Sequence, residues 1–161
     1  MAATTSMTFN AENLEKLEKL RRLYPTSKAL TIPVLWLAQN QFGWISPQTM
    51  KYVADLLQLP VSHIYGVVTF YTMFNTRPVG KYHLQVCTNI SCGLVGGEKI
   101  CDHLSERLKI RPGETTPDGM FTLTEVECLG SCGTAPVVQV NEEYATNLTV
   151  EKVEQMIESL K

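Results

Sequence analysis

The stretches Cys87-Thr-Asn-Ile-Ser-Cys92 and Cys128-Leu-Gly-Ser-Cys132 decide how this chain of 161 residues folds. Four residues separate the cysteines of the first pair, three separate those of the second, and residues 93–127 lie between the pairs. Each pair directly follows a predicted strand, where the backbone turns away from the sheet. If the two strands are neighbours, the two loops bring four sulfur atoms together at one end of the sheet.

Four thiols in two short loops suit more than one kind of site. A 2Fe–2S cluster takes two thiolates per iron, whereas zinc takes four thiolates in tetrahedral geometry with similar loop spacings. Catalytic dithiols use a C-x-x-C spacing that neither pair has. Buried free cysteines are common singly, but not as two close pairs flanked by glycine. The spacing therefore leaves an iron–sulfur cluster and a structural zinc site open, and disfavours the other two readings.

The fifth cysteine and the histidines need separate interpretations. Cys101 shares an apolar helix stripe with Ile100 and Leu104, which predicts a small buried hydrophobic residue rather than a ligand. Because the count of five is odd and no export signal is seen, a disulfide framework is not expected. The histidines have no ligand spacing and are predicted to be ordinary surface residues: His63, His83 and His103.

The sequence around the cysteines predicts a small sheet with two helices. Lys81–Val86 alternates apolar and polar residues, which is typical of a half-buried strand. A helix over residues 97–109 follows, and Pro117-Asp118-Gly119 predicts a turn. The further predicted elements are strands at 121–124, 137–140 and 144–145, and a helix that Thr149 caps.

The first half of the chain predicts helices alone. They are expected at residues 11–23 with Asn10 as the cap, 28–41 with Ser27 as the cap, from Pro47 to Pro60, and 62–70. The turn-forming residues 75–80 separate this half from the strands. We therefore predict an α+β chain: an N-terminal helical bundle at residues 1–76, expected to dock a partner, and an α/β domain with a small mixed sheet at residues 77–161.

Composition excludes several classes of function. The net charge of −2, from 14 basic and 16 acidic residues, argues against nucleic acid as a partner. The longest apolar run, residues 32–38, is far shorter than the roughly 20 residues of a membrane-spanning helix. We therefore expect no direct membrane insertion. Residues 1–10 contain neither Lys nor Arg and no apolar core, so we expect no signal or transit peptide.

The cysteine pattern and the helical half together resemble a known family. Cys87-x4-Cys92 and Cys128-Leu-Gly-x-Cys132 are similar to the thioredoxin-like 2Fe–2S ferredoxins. Leu37-Ala38-Gln39, Gly43-Trp44 and the run from Val67 to Phe74 resemble the small 2Fe–2S subunit family of respiratory complex I, NADH:quinone oxidoreductase. The resemblance extends from about Leu14 to Leu160.

The resemblance carries specific expectations. It implies a thioredoxin-like fold in residues 77–161, and one 2Fe–2S cluster with a single iron in each loop. It implies electron exchange with FMN on a partner flavoprotein subunit that binds NADH, other iron–sulfur subunits nearby, and a place on the cytoplasmic side of a membrane-associated complex. Equivalent subunits of NAD-linked hydrogenases and formate dehydrogenases are the alternative, and this chain alone holds no complete site for hydride transfer. The implied ligands, for both cluster and metal, are Cys87, Cys92, Cys128 and Cys132.

Overall fold

The computed structural model describes residues 7–160. The chain divides into two compact units, Met1–Pro78 and Val79–Lys161. The prediction that no signal or transit peptide is present rests on residues 1–10, most of which lie outside the described range. Among the described residues, no helix has the length and apolar character needed to cross a membrane.

The first unit is helical, as predicted. Asn10 accepts a hydrogen bond from the N–H of Asn13 and so caps the first helix, and Ser46 caps the third in the same way with Pro47 as its first residue. The third helix ends before Gln58, which adopts a left-handed conformation at φ 55°. The helices in residues 7–78 are α1 Ala11–Leu23, α2 Thr31–Phe42, α3 Pro47–Leu57 and α4 Val61–Phe70.

Helix α2 begins later than predicted. Residues 27–30 form a turn, the helix starts at Thr31, and Ser27 is not its cap. Pro33 is consequently the third helical residue and lies in the first turn, where backbone N–H groups have no partner inside the helix. The predicted stop at Gly43 is confirmed, because this residue takes φ 82°.

The core of the first unit is formed by the inward faces of these helices. Val34, Leu35, Val53 and Ile64 are fully buried. Phe9 packs edge-on against the ring of Tyr52 at 5.2 Å, and the Tyr52 hydroxyl accepts a hydrogen bond from the Phe9 N–H. The N-terminal segment is therefore anchored to α3 by both an aromatic contact and a hydrogen bond.

The second unit is a mixed sheet with helices packed on it. In residues 79–160 the strand order is β2-β1-β3-β4. Strands β1 and β2 are parallel, while β3 pairs antiparallel with both β1 and β4. The elements are β1 Tyr82–Cys87, α5 Ile90–Leu94, α6 Gly97–Leu108, β2 Phe121–Val126, β3 Val138–Val140, β4 Glu143–Ala145 and α7 Val150–Ser159.

The alternation predicted for β1 is confirmed, since Leu84 and Val86 are fully buried. They pack with Leu104 of α6 and with Val153 and Ile157 of α7 into one apolar cluster. The parallel pairing of β1 and β2 requires a crossover, which α6 and the residues after it supply. The small mixed sheet and the preceding helices match the predicted α+β fold class.

Candidate metal centre

The two cysteine pairs leave the sheet at the same end. In the parallel register, Cys87 at the end of β1 lies opposite Val126 at the end of β2. The chain after β1 leads directly to Cys92, and the chain after β2 leads to Cys128. The predicted meeting of both loops at neighbouring strand ends is thus what the topology produces.

The first loop is a short helix. Asn89 caps α5 by accepting a hydrogen bond from the N–H of Ile90 at 2.7 Å. Cys92 lies in α5, and both Cys87 and Cys92 are buried. The sequence did not predict this helix, which has only five residues, although Asn89 is a standard capping residue.

Gly97 packs closely against the backbone of this loop. A Cβ atom at Gly97 would lie 2.7 Å from the carbonyl oxygen of Cys87 and 2.9 Å from that of Cys92. The first residue of α6 therefore contacts the backbone of both cysteines, and only glycine leaves room for it.

The second loop is more exposed and has a turn of its own. Gly130 takes φ 70° and donates its N–H to the Sγ atom of Cys128 at 3.2 Å. Cys132 begins a short 3-10 turn, and the peptide bond from Ala135 to Pro136 is cis. Both Cys128 and Cys132 are exposed.

The thiols of the two loops influence one another. Burial opposes the ionisation of Cys87, but N–H groups of Asn89 and Leu129 and the thiols of Cys92 and Cys128 form hydrogen bonds that lower its pKa overall. Burial and a hydrogen bond to Cys87 raise the pKa of Cys92. Within the first loop, the site therefore favours the thiolate form of Cys87 over that of Cys92.

Cys132 also lies close enough to contribute to the raised pKa of Cys92. The structure thus brings all four predicted cysteines to one end of the sheet. The thiols are not gathered about a single point, however, since within residues 7–160 no three or more His, Cys, Asp or Glu side chains are grouped so as to hold one metal ion.

The donor set fits a 2Fe–2S cluster chemically. It offers two thiols from each loop, which matches two ligands per iron. Backbone N–H groups donate to sulfur in both loops, and such hydrogen bonds contribute to cluster reduction potentials. Assignment of the four cysteines as ligands remains a prediction.

Cys101 lies apart from this group, as predicted. It is 6% exposed in the apolar cluster of the second unit, and burial raises the pKa of its thiol to about 11. Its place in the apolar cluster on α6, outside both cysteine loops, suits a core residue better than a ligand.

The three histidines are partly exposed, and each also contacts a side chain that the sequence did not indicate. The ring of His63 contacts the Thr31 hydroxyl at 3.2 Å. His83 contacts the Thr124 hydroxyl at 2.8 Å, and His103 contacts the Glu154 carboxylate at 2.7 Å. Their partners are distant in sequence, so sequence spacing does not reveal these contacts.

Comparison with known proteins identifies the family of this chain. The sequence profile of the thioredoxin-like [2Fe-2S] ferredoxins matches residues 17–161. Two E subunits of NADH-quinone oxidoreductase are each 44% identical to this chain. That of Rickettsia felis aligns over 158 residues, which cover 96% of this chain and 95% of that protein. That of Rhizobium meliloti, the one numbered 2, aligns over 138 residues, covering 86% and 82% of the two chains.

One solved structure shows the same fold. It is the NAD+-reducing [NiFe]-hydrogenase in the H2-reduced state, with a TM-score of 0.70 and 22% identity. The match covers 85% of this chain and 23% of that hydrogenase chain. At this identity the similarity concerns the fold alone. By its profile match and its curated relatives, this chain belongs to the thioredoxin-like [2Fe-2S] ferredoxin family, together with the E subunits of NADH-quinone oxidoreductase.

Proposed function

We propose that this chain is the electron-transfer subunit of an NADH:quinone oxidoreductase and carries one 2Fe–2S cluster. The observation that carries the proposal is the parallel pairing of β1 and β2, which directs both cysteine loops to one end of the sheet. When bound, the cluster accepts and releases one electron at a time. The proposed ligands are Cys87, Cys92, Cys128 and Cys132.

The backbone around the cysteines contributes to this role. One-electron reduction adds negative charge, which N–H groups that point at the sulfur atoms stabilise. Gly130 donates its N–H to the sulfur of Cys128 at 3.2 Å. Backbone groups of Asn89 and Leu129 act to lower the pKa of Cys87, and the backbone of Val137 acts to lower that of Cys92 against the larger effect of burial. Each loop thus contains backbone groups that favour negatively charged sulfur.

The alternatives considered from the sequence are not favoured. Relatives at 44% identity are NADH-quinone oxidoreductase subunits, whereas the hydrogenase resembles this chain only in fold. A structural zinc module is disfavoured by the match to an iron–sulfur family over residues 17–161.

The electrons come from a partner subunit in this proposal. NADH delivers two electrons as a hydride, and the cluster accepts one, so a flavin must act between them. We assign FMN and NADH to a flavoprotein partner, with other iron–sulfur subunits beside it. We place this chain on the cytoplasmic side, as part of a membrane-associated complex.

Exposed apolar side chains beside the cysteines suit such a partner. Ile90 is 77% exposed and Leu94 is 83% exposed, and both belong to the helix that carries Cys92. Apolar groups concentrated in this way mark interaction sites. In the helical unit, Phe70 is 76% exposed at the end of α4, which supports docking through residues 1–76 as well.

The test is co-purification with the NADH- and FMN-binding subunit under anaerobic conditions. We expect NADH to reduce the 2Fe–2S cluster in the complex but not in the isolated chain. Leu94→Glu should weaken the complex while leaving the iron content unchanged. Val150→Glu is the control, because Val150 is 40% exposed at the start of α7 and lies outside both α5 and residues 1–76. A chain that never binds the flavoprotein, or that purifies with zinc in place of iron, would contradict the proposal.

A further inference from the structure

The tyrosine in β4 reaches the second cysteine loop. The hydroxyl of Tyr144 donates a hydrogen bond to the carbonyl oxygen of Leu129 at 2.8 Å. Leu129 lies between Cys128 and Cys132, while Tyr144 follows them in another element. This is a side-chain anchor that joins the sheet edge to the backbone of the loop.

The bond from Tyr144 is made to the peptide group whose N–H contacts the sulfur atom of Cys128. The carbonyl of Leu129 and the N–H of Gly130 belong to the same peptide unit. That N–H donates to the Sγ of Cys128 at 3.2 Å. The hydroxyl of Tyr144, one peptide group and the sulfur of Cys128 therefore form a continuous hydrogen-bond chain.

A hydrogen-bond chain of this kind has an electrostatic consequence. A carbonyl that accepts a hydrogen bond withdraws electron density from its peptide nitrogen, and the N–H of that group becomes a stronger donor. Each bond in a chain strengthens its neighbour by about 10–30%. The bond from Tyr144 to the Leu129 carbonyl holds this peptide plane in the orientation that points the Gly130 N–H at Cys128, and the φ of 70° at Gly130 turns the chain after it.

We infer that Tyr144 is a positioning residue that raises the reduction potential of the cluster by orienting and polarising the peptide group between Leu129 and Gly130. The inference rests on the proposed function, since it takes Cys128 as a cluster ligand. The sign follows from charge. A stronger N–H donor stabilises the reduced, more negative state, so removing the hydroxyl makes reduction less favourable.

The test is a redox titration of the full chain, purified anaerobically with its cluster. Tyr144→Phe removes the hydroxyl and keeps the ring, which is half exposed on a short strand. We expect the reduction equilibrium to shift toward the oxidised state by about two- to threefold. This corresponds to roughly 20–30 mV to more negative potential, because 59 mV is tenfold for one electron.

Tyr82→Phe is the matched control. Tyr82 lines the same surface cavity as Tyr144, but its ring stacks on Phe121 with centroids 5.6 Å apart. We expect its reduction potential to equal that of the wild type. An equal negative shift in Tyr82→Phe would overturn the inference, because the effect would then not depend on the bond to Leu129.

Iron content separates this inference from the proposed function. If the wild type held no iron and no acid-labile sulfide, the proposed function itself would fail. If Tyr144→Phe held as much of both as the wild type and its potential were unchanged or more positive, only the role of Tyr144 would be refuted. If Tyr144→Phe holds a full cluster and its reduction potential is more negative than that of the wild type, both the proposed function and the role of Tyr144 are supported.

Discussion

The substitution Gly97→Ala tests how the first cysteine loop is supported. The new Cβ atom would lie 2.7 Å from the carbonyl oxygen of Cys87, and 2.9 Å from both the carbonyl carbon and the oxygen of Cys92. Comfortable contacts between non-bonded heavy atoms begin near 3.5 Å, so the closest of these is about 0.8 Å too short. All three atoms belong to backbone, so a change of rotamer cannot relieve the clash.

The expected result is a displaced loop and a less stable second unit. Inserting a methyl group into a close-packed site typically costs about 1–3 kcal/mol. For a domain of about 80 residues, each kcal/mol lowers the melting temperature by about 4–8 °C. Since the displaced atoms belong to Cys87 and Cys92, we also expect the iron content per chain to fall. Thermal unfolding followed by circular dichroism, together with iron and sulfide analysis, measures both effects.

Gly93→Ala is the control for this experiment. Gly93 lies next to Cys92, yet its added Cβ would approach the carbonyl oxygen of Thr88 only to 3.4 Å. This variant should keep its iron and melt close to the wild type. A Gly97→Ala protein with normal iron content and an unchanged melting temperature would refute the argument that Gly97 positions the loop.

Two further predictions concern the thiols and the α6–α7 contact. Cys92→Ala should lose the cluster absorbance, whereas Cys101→Ala should keep it; bleaching in Cys101→Ala would show that the ligand set is wrong. The hydrogen bond from Arg107, followed by that from His103, lowers the pKa of Glu154 below 4.5 despite the opposing effect of desolvation. A carboxylate with a lowered pKa stabilises the fold fully above its unfolded pKa, and this contribution disappears as pH falls through the folded pKa. Glu154→Gln should thus melt at a lower temperature than the wild type near neutral pH, and the two melting temperatures should converge in acid. A difference in melting temperature that stays constant with pH would contradict this.

The local patterns around the cysteines predicted the strands well. Alternation at Leu84 and Val86 identified β1, because inward and outward positions on a strand repeat every two residues. Thr149 accepts a hydrogen bond from the N–H of Lys152 and caps α7 as expected. These features depend on neighbours in sequence, so they could be found from the sequence alone.

Errors arose where several local signals competed. Ser27 is a good capping residue, but residues 27–30 form a separate turn and α2 begins at Thr31. The sequence does not predict helix α5, because five residues are too few to show a helical period. The capping residue Asn89 is the one local feature that indicates where this helix begins.

The supporting residues of the site could not be predicted, because their roles depend on tertiary contacts. The sequence predicts Gly97 only as the first residue of a helix, and its contact with the backbone of Cys87 depends on how α6 packs against the loop. Tyr144 was expected only in a short strand, and its bond to Leu129 spans 15 residues. The ring contact between His103 and Glu154 spans 51 residues.

The most direct test of the central claim is electron paramagnetic resonance of the anaerobic protein, combined with iron and sulfide analysis. We predict two irons and two sulfides per chain, no signal in the oxidised protein, and one unpaired electron per chain after reduction with dithionite. A colourless protein with a single zinc ion, silent before and after dithionite, would contradict the presence of a 2Fe–2S cluster.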